Sequence, residues 1–322
     1  MQVSQSMTAN IRMIAAASKS RGPTVKQMSP TEEREAQAET LVPLAGALEP
    51  LEQTLSPVRI HPSAVIGPEV ELAAGVEIGP FCLLDGRIRL GSGCRLLGHV
   101  TIMGDSELGR QNILHPNVVI GDEPQDVAYT GGRRRVLIGN GNVFREGVTV
   151  HRGSEQGEAT IIGGGNFFMQ NAHVAHDCRI GNGTMIAGGA LLAGWVEVGN
   201  GAIVSGNCVV HQFVRLGRYS MMRGLSRTSR DVPPFCLMDG THTLRAINSV
   251  GLRRAGFSPS VIRSLRNAFA MLFRGPQNLK IALEKLDRQG PLSAEVAEML
   301  EFIRQSRRGV AFGPHRAHES ED

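Results

Sequence analysis

From residue 162 onward an aliphatic or large apolar residue returns at every sixth position: Ile162, Phe168, Val174, Ile180, Ile186, Leu192, Val198, Val204, Val210, Leu216 and Met222. Two places before each next member stands a second column, mostly small: Asn166, Ala172, Cys178, Thr184, Ala190, Val196, Ala202, Cys208, Val214, Ser220 and Ser226. Upstream, in another phase, Ile60, Ile66, Leu72, Ile78, Leu84, Leu90, Leu96, Ile102, Leu108, Leu114 and Ile120 repeat the pattern without a gap. A period of six fits neither a 3.6-residue helix nor a lone alternating strand. It fits a parallel β-helix of hexapeptide repeats, in which each hexad supplies one short strand and a corner, and stacked coils bury a thin continuous core. The predicted fold class is an all-β solenoid.

The repeat is expected over residues 58–234. Two stretches break its phase, 122–135 (DEPQDVAYTGGRRR) and 152–159 (RGSEQGEA). A coil cannot absorb extra residues internally, so each must leave the rod at a corner, as a plain solvated loop or as a place that houses chemistry. After Pro233-Pro234 the pattern turns helical. Ser258 before Pro259 makes an N-cap and first-turn pair, Val261, Ile262, Leu265, Phe269 and Leu272 form a helical stripe, and Gly275-Pro276 ends it. Two more helices are expected near 278–288 and 293–307, so residues 235–313 read as a small helical cap, followed by a polar tail at 314–322. Residues 1–57 lie outside the repeat, as an N-terminal extension or an overlong gene start.

Composition fits this rod. Aromatic residues are 4% of the 322, and glycines number 39, which suits a narrow aliphatic core with tight corners. Cys82, Cys94, Cys178 and Cys208 fall in the small inward column and none forms a CxxC pair. They read as buried reduced thiols in a reducing, cytoplasmic setting, with no metal site. No apolar run is long enough for a transmembrane helix. The stretch 13–17 lacks the context of a signal peptide.

The chemical candidates are histidines. His173 and His176 flank inward Val174, and His151 and His211 each follow an inward residue, so all four are expected outside the rod. Histidine serves as a general base near neutral pH, and the neighbouring Asp177 would orient the His176 ring. A pair of histidines three apart is also an ordinary surface feature, and as a zinc site it lacks a third ligand. Residues 212–254 carry eight arginines, Arg215, Arg218, Arg223, Arg227, Arg230, Arg245, Arg253 and Arg254, against Asp231 and Asp239. This is solubility charge or the footprint of an anionic partner such as a nucleotide diphosphate or an acidic carrier protein. Nucleic acid is disfavoured because stacking aromatics are scarce.

Residues 60–313 resemble the acyl-carrier-protein-dependent UDP-N-acetylglucosamine O-acyltransferases of lipid A synthesis. The resemblance rests on Ile78-Gly79-Pro80-Phe81, Gln125-Asp126, Val150-His151-Arg152-Gly153, the run NAHVAHDC from Asn171 to Cys178, His211-Gln212-Phe213, Asp231-Val232-Pro233-Pro234 and Gly251-Leu252-Arg253-Arg254. The hexad pattern alone is shared by many acyltransferases; NAHVAHDC with HQF and DVPP at these spacings is specific. The resemblance implies a left-handed coil, although parallel crossovers are normally right-handed. It also implies a homotrimer with sites between subunits, no metal or other cofactor, and acyl carrier protein and UDP-N-acetylglucosamine as partners.

By position, the resemblance makes His176 the general base for the glucosamine 3-hydroxyl, Asp177 its orienting partner and the Gly194 N–H the oxyanion donor. It assigns Gln125, Asp126, His151 and His173 to the sugar, and Gln212, Asn248 and Arg254 to the nucleotide or pantetheine arm. Gly224, beside Arg223, matches the position that limits acyl-chain length. The chain departs from the family pattern at Trp195, Ala128, Val250 and Arg223, where a histidine, a lysine, a glutamate and a glycine are usual. These departures bear on donor and acceptor preference. The alternatives are N-acylation of a related UDP-amino-sugar, and a non-catalytic trimeric scaffold for an acidic carrier protein.

Overall fold

The computed structural model describes residues 26–27, 57–154, 159–275 and 278–313. Most of the N-terminal extension, the centre of the second loop, Pro276 and the polar tail lie outside the described residues.

The chain coils into a parallel β-solenoid of about ten turns. Each coil lays a short stretch of strand on each of three faces, and in Leu83–Leu90 and Thr101–Leu108 one strand runs on from the second face to the third. The first face stacks Arg59, Glu77, Arg95, Ile113, Val143, Phe167, Met185, Ile203 and Met221 in register. The second stacks Val65, Leu83, Thr101, Val119, Thr149, His173, Leu191, Val209 and Arg227. The third runs from Glu71 and Arg89 through Glu107, Leu137 and Ile161 to Arg179, Glu197 and Arg215.

Both apolar columns of the sequence point inward. Every member of the downstream pair of columns is buried, and so is every upstream member except Ile60, which sits on the first coil. Where the core widens, Phe144 and Phe168 stack face to face, with ring centroids 4.8 Å apart. Polar residues in the small column satisfy one another along the axis. The Asn112 carboxamide oxygen accepts from the Asn142 N–H, that of Asn142 from Asn166, and that of Asn166 from Thr184. Such partners offset the cost of burying an amide, although the Asn166 Nδ2 has none among the described residues. All five cysteines are free and buried.

Both phase breaks leave at one corner, between the second and third faces. Phe167 pairs with Met185, 18 positions on, but Ile113 pairs with Val143, 30 positions on, and Val143 with Phe167, 24 positions on. The extra residues therefore stand as two loops on adjacent coils while the ladders on either side stay in register.

The coil also outlasts Pro233-Pro234, where the sequence pattern turns. Val232 bridges Leu216 on the third face, and the strand Cys236–Met238 pairs with Met221–Met222 on the first. The strand Leu244–Ile247 then reverses direction against it. Beyond lie α1 (Ser249–Arg254), α2 (Pro259–Phe269) with a π-helical continuation Ala270–Arg274, α3 (Leu279–Asp287) and α4 (Ala294–Arg304). The Ser258 side chain accepts from the Val261 N–H as an N-cap, and Asn278 and Ser293 do the same for α3 and α4. Arginines join this cap to the rod. Arg215 bonds buried Asp231 and the Phe302 carbonyl, and Arg218 bonds Glu298 on α4.

Candidate active site

The corner between the second and third faces repeats every coil, and from the second loop downward it carries His176-Asp177, Gly194-Trp195 and Gln212-Phe213 in succession. Backbone bonds tie the corners to one another: the Trp195 N–H donates to the His176 carbonyl at 3.0 Å, and the Phe213 N–H to the Gly194 carbonyl at 3.1 Å. The second residue of each pair has a left-handed backbone, with φ of 59° at Asp177, 63° at Trp195 and 64° at Phe213. That conformation is common for aspartate but strained for an aromatic, and here the ladder on both sides imposes it.

His176 and Asp177 form a dyad. The His176 Nδ1 lies 2.8 Å from Asp177 Oδ2, and the Asp177 side chain is 1% exposed. Ser154, in the second loop one coil earlier, also donates to that carboxylate, from its N–H at 3.0 Å and its hydroxyl at 2.7 Å. The Asp177 N–H is held by Thr160 Oγ1 at 2.8 Å. Burial alone would raise the Asp177 pKa, but the bonds from His176 and Ser154 outweigh it and hold the carboxyl below its ordinary value. An ionised Asp177 takes the Nδ1 proton as an acceptor, which leaves Nε2 of His176 with a free lone pair.

Gly194 makes this position available. Its φ is ordinary, so the requirement is space: a Cβ there would stand 2.5 Å from His176 Cε1 and 2.7 Å from Nε2. The imidazole therefore lies directly over the Gly194 backbone. Among the described residues the Gly194 N–H has no hydrogen-bond acceptor. The dyad thus sits beside an unpartnered amide, an arrangement suited to removing a proton and stabilising an oxyanion close by.

Two further histidines complete the cluster. The rings of His151 and His173 meet edge to face at 5.1 Å, and His173 Nδ1 lies 2.7 Å from Thr149 Oγ1. His151, expected outside the rod, is only 6% exposed, and its Nδ1 has no partner among the described residues. Burial lowers the pKa of both, that of His173 to about 4. Both are neutral near pH 7, so neither opposes a proton arriving on His176. Among the described residues no group of three His, Cys, Asp or Glu side chains is arranged to hold a metal ion.

The remaining candidates divide. Asp126 lies in the first loop, where its Oδ1 accepts from the Ala128 N–H, and Gln125 beside it is exposed. Gln212 is exposed on the catalytic corner. Asn248 is occupied within the fold: its Oδ1 caps α1 through the Gly251 N–H, and its Nδ2 donates to the Tyr219 carbonyl. Arg254 is exposed at the end of α1. Gly224 and Arg223 lie on a different corner, between the first and second faces, and Arg223 reaches Asp239 at 2.9 Å. Of the eight arginines, Arg215, Arg218 and Arg223 form ion pairs within the fold, and Arg230 lies over the Phe312 ring. Exposed Arg227 bonds Thr241 at 3.1 Å without an ion pair among the described residues, so the basic surface reduces to Arg227, Arg245, Arg253 and Arg254.

Sequence reasoning missed Ser154, Thr160 and Thr149. Thr160 was open to detection, since it extends the small inward column by one hexad and places a hydroxyl beside a phase break. Ser154 carries no periodic signal.

Comparisons with known proteins give the family. Residues 231–311 match the family model described as UDP N-acetylglucosamine O-acyltransferase, domain 2, and residues 159–194 match the bacterial transferase hexapeptide repeat. The acyl-acyl-carrier-protein–UDP-N-acetylglucosamine O-acyltransferase of Thermodesulfovibrio yellowstonii is 43% identical over 253 residues, 78% of this chain and 98% of that protein. Its counterpart in Syntrophobacter fumaroxidans is 40% identical over 256 residues, 79% of this chain and 99% of that protein. The crystal structure of the Francisella novicida UDP-N-acetylglucosamine acyltransferase superposes with a TM-score of 0.77 at 32% identity, covering 80% of this chain and 95% of that one.

The histidine cluster has a consequence for stability. With the folded pKa of His173 at about 4 against an ordinary 6.5, the unfolded chain binds more protons between those values, so stability rises with pH there. It is complete above about 6.5 and is lost as pH falls toward 4. Guanidinium melts of His173→Asn, which keeps a partner for Thr149, are expected to show a flatter dependence between pH 6.5 and 4 than the wild type. An unchanged slope would contradict the buried neutral imidazole.

Proposed function

The chain belongs to the family of acyl-acyl-carrier-protein–UDP-N-acetylglucosamine O-acyltransferases, and from that footing we propose that it moves a 3-hydroxyacyl chain from acyl carrier protein to the glucosamine 3-hydroxyl of UDP-N-acetylglucosamine. It is an acyltransferase, and the reaction is the first step of lipid A synthesis. The observation that carries the residue assignment is His176, oriented by Asp177 and lying over the unpartnered amide of Gly194.

In this mechanism Nε2 of His176 removes the proton of the 3-hydroxyl as its oxygen attacks the thioester carbonyl carbon. Asp177 stabilises the imidazolium that forms. The Gly194 N–H donates to the oxyanion of the tetrahedral intermediate. Collapse breaks the carbon–sulfur bond, and the departing thiolate takes the proton back from His176. No acyl-enzyme forms. Asp126, Gln125, His151 and His173 bind the sugar, and Gln212 and Arg254 meet the nucleotide or the pantetheine arm. Asn248 acts on the same region by fixing the start of α1.

A homotrimer accounts for the distribution of surface residues. Outward positions on the first face are apolar from Ile113 to Met221, and the second face exposes Leu191 and Val209. The third face instead alternates charge, as in the pairs Arg89–Glu71 at 3.2 Å and Arg135–Glu107 at 3.2 Å. Packing the first face of one chain on the second face of the next covers both apolar strips, leaves the charged face in water and puts His176 at the edge of a subunit boundary. Five buried free thiols fit a reducing cytoplasm, and among the described residues no helix is long and apolar enough to cross a membrane.

The acyl chain would cross the second face from the His176 corner to the Gly224 corner, descending three coils, about 14 Å at the usual strand spacing. There Gly188, Gly206 and Gly224 form a bare column. A Cβ at Gly224 would meet only the Gly206 carbonyl, at 3.5 Å, so a larger side chain fits without disturbing the coil. Arg223, drawn to Asp239, does not close this path.

Two outcomes test these assignments. His176→Ala should lower turnover by roughly 10²- to 10⁴-fold while the coil stays folded; wild-type rates in that variant would remove the proposed base. Gly224→Met should retain the rate on a short hydroxyacyl donor and lose it on a long one, by about 0.8 kcal/mol for each displaced methylene. Equal loss on every chain length, measured by competition between mixed donors, would mean that this corner does not measure the chain.

A further inference from the structure

On the catalytic corner, toward the N-terminal end of the rod, lies a recess of ≈ 270 Å³ lined by Glu69, Arg87, Gly104, Asp105, Gly132, Arg133, Arg134 and Arg152. It is smaller than a drug-sized ligand pocket, typically about 300–1,000 Å³, and suits a small ion rather than a whole nucleotide.

Its charge is unbalanced. Asp105 is held by Arg133 at 2.6 Å, and Glu69 lies 3.9 Å from Arg87. Arg134 has no carboxylate partner among the described residues, and Arg152 shares its charge with Glu123 outside the recess. Among the described residues Arg134 donates only to backbone oxygens, those of Ser154 at 2.8 Å and Arg133 at 3.2 Å. Arg152 reaches the Gly121 carbonyl at 3.1 Å and Glu123 at 2.9 Å, but its Nε is buried with no hydrogen-bond partner among the described residues; the Nε of neighbouring Arg135 also lacks one and lies 3.8 Å from Asp105. Orphaned buried donors of this kind are costly unless a ligand or water meets them.

The two groups are also held in place. Gly104 and Gly132 have φ of 70° and 103°, and a Cβ on them would stand 2.8 Å from Arg152 Nη1 and 2.9 Å from Arg134 Nη1. Glycine lets both guanidiniums lie against the backbone, where little freedom is left to lose on binding.

We propose that this recess is a phosphate-binding site, distinct from the His176–Gly194 corner, in which Arg133, Arg134 and Arg152 clamp a phosphate or diphosphate group through charge-assisted hydrogen bonds. The proposal does not rest on the acyl-transfer reading. The ligand is either a free phospho-anion or the diphosphate of a nucleotide substrate; both present the same oxygens.

Calorimetry on the full chain at low ionic strength, with inorganic phosphate and pyrophosphate as probes, tests it. The wild type is expected to bind at least one of them, and the double variant Arg133→Ser/Arg134→Ser to bind about tenfold or more weakly. Should the double variant fail to fold, Arg87→Ser on the opposite wall repeats the test. If the KM for UDP-N-acetylglucosamine is unchanged in the variant, the ligand is a free phospho-anion; if KM rises in step with the lost affinity, the substrate diphosphate is the ligand. The proposal is overturned if neither probe binds the wild type, or if the variant binds equally well.

Discussion

Every feature of this protein depends on the parallel ladder between successive coils. Each short strand is satisfied by the strands on the coils before and after it, 18 residues away except where the two insertions stretch the spacing to 30 and 24, and a slip of one residue would turn an apolar column outward. Extra residues can then be accommodated only at corners, and two insertions at one corner raise loops from adjacent coils. The same ladder brings His176 over Gly194 and within reach of Ser154, from three different coils. The strained aromatic corners at Trp195 and Phe213 show how firmly it dictates local backbone.

This explains what the sequence made legible. The inward columns are sums of many small, equal requirements, so the period survives in the chain, and the buried residues could be named from Ile66 to Met222. The dyad was visible because His176 and Asp177 are adjacent in sequence. Its supports were not: Ser154 reaches Asp177 across a loop of irregular length, which no periodicity encodes. The burial of His151 was missed for a related reason, since alternation tells which way a side chain leaves the coil but not what then covers it. The end of the solenoid was also misjudged, because Pro233 and Pro234 sit at a corner and the coil runs on through Cys236.

Charge was the least legible property. A run of arginines in the sequence suggested one basic surface, yet Arg215, Arg218 and Arg223 are joined to Asp231, Glu298 and Asp239 and hold the cap and the end of the rod together. Spacing cannot distinguish an arginine that pins two elements from one that waits for a ligand. Asn248 makes the same point, since its amide caps α1 and bonds the Tyr219 carbonyl, contacts that no spacing announces. In contrast, the arginines whose buried Nε has no hydrogen-bond partner among the described residues, Arg135 and Arg152, lie one at each phase break, where the broken period had already left room for chemistry.

The central claim is direct transfer of an acyl chain to a sugar hydroxyl by the His176–Asp177 dyad. It is tested most directly by incubating the pure protein with UDP-N-acetylglucosamine and a hydroxyacyl acyl carrier protein, then determining the product by mass spectrometry and NMR. The account predicts a single ester at the glucosamine 3-position. Acylation solely of an amino-sugar analogue to give an amide, or carrier binding without any product, would contradict it.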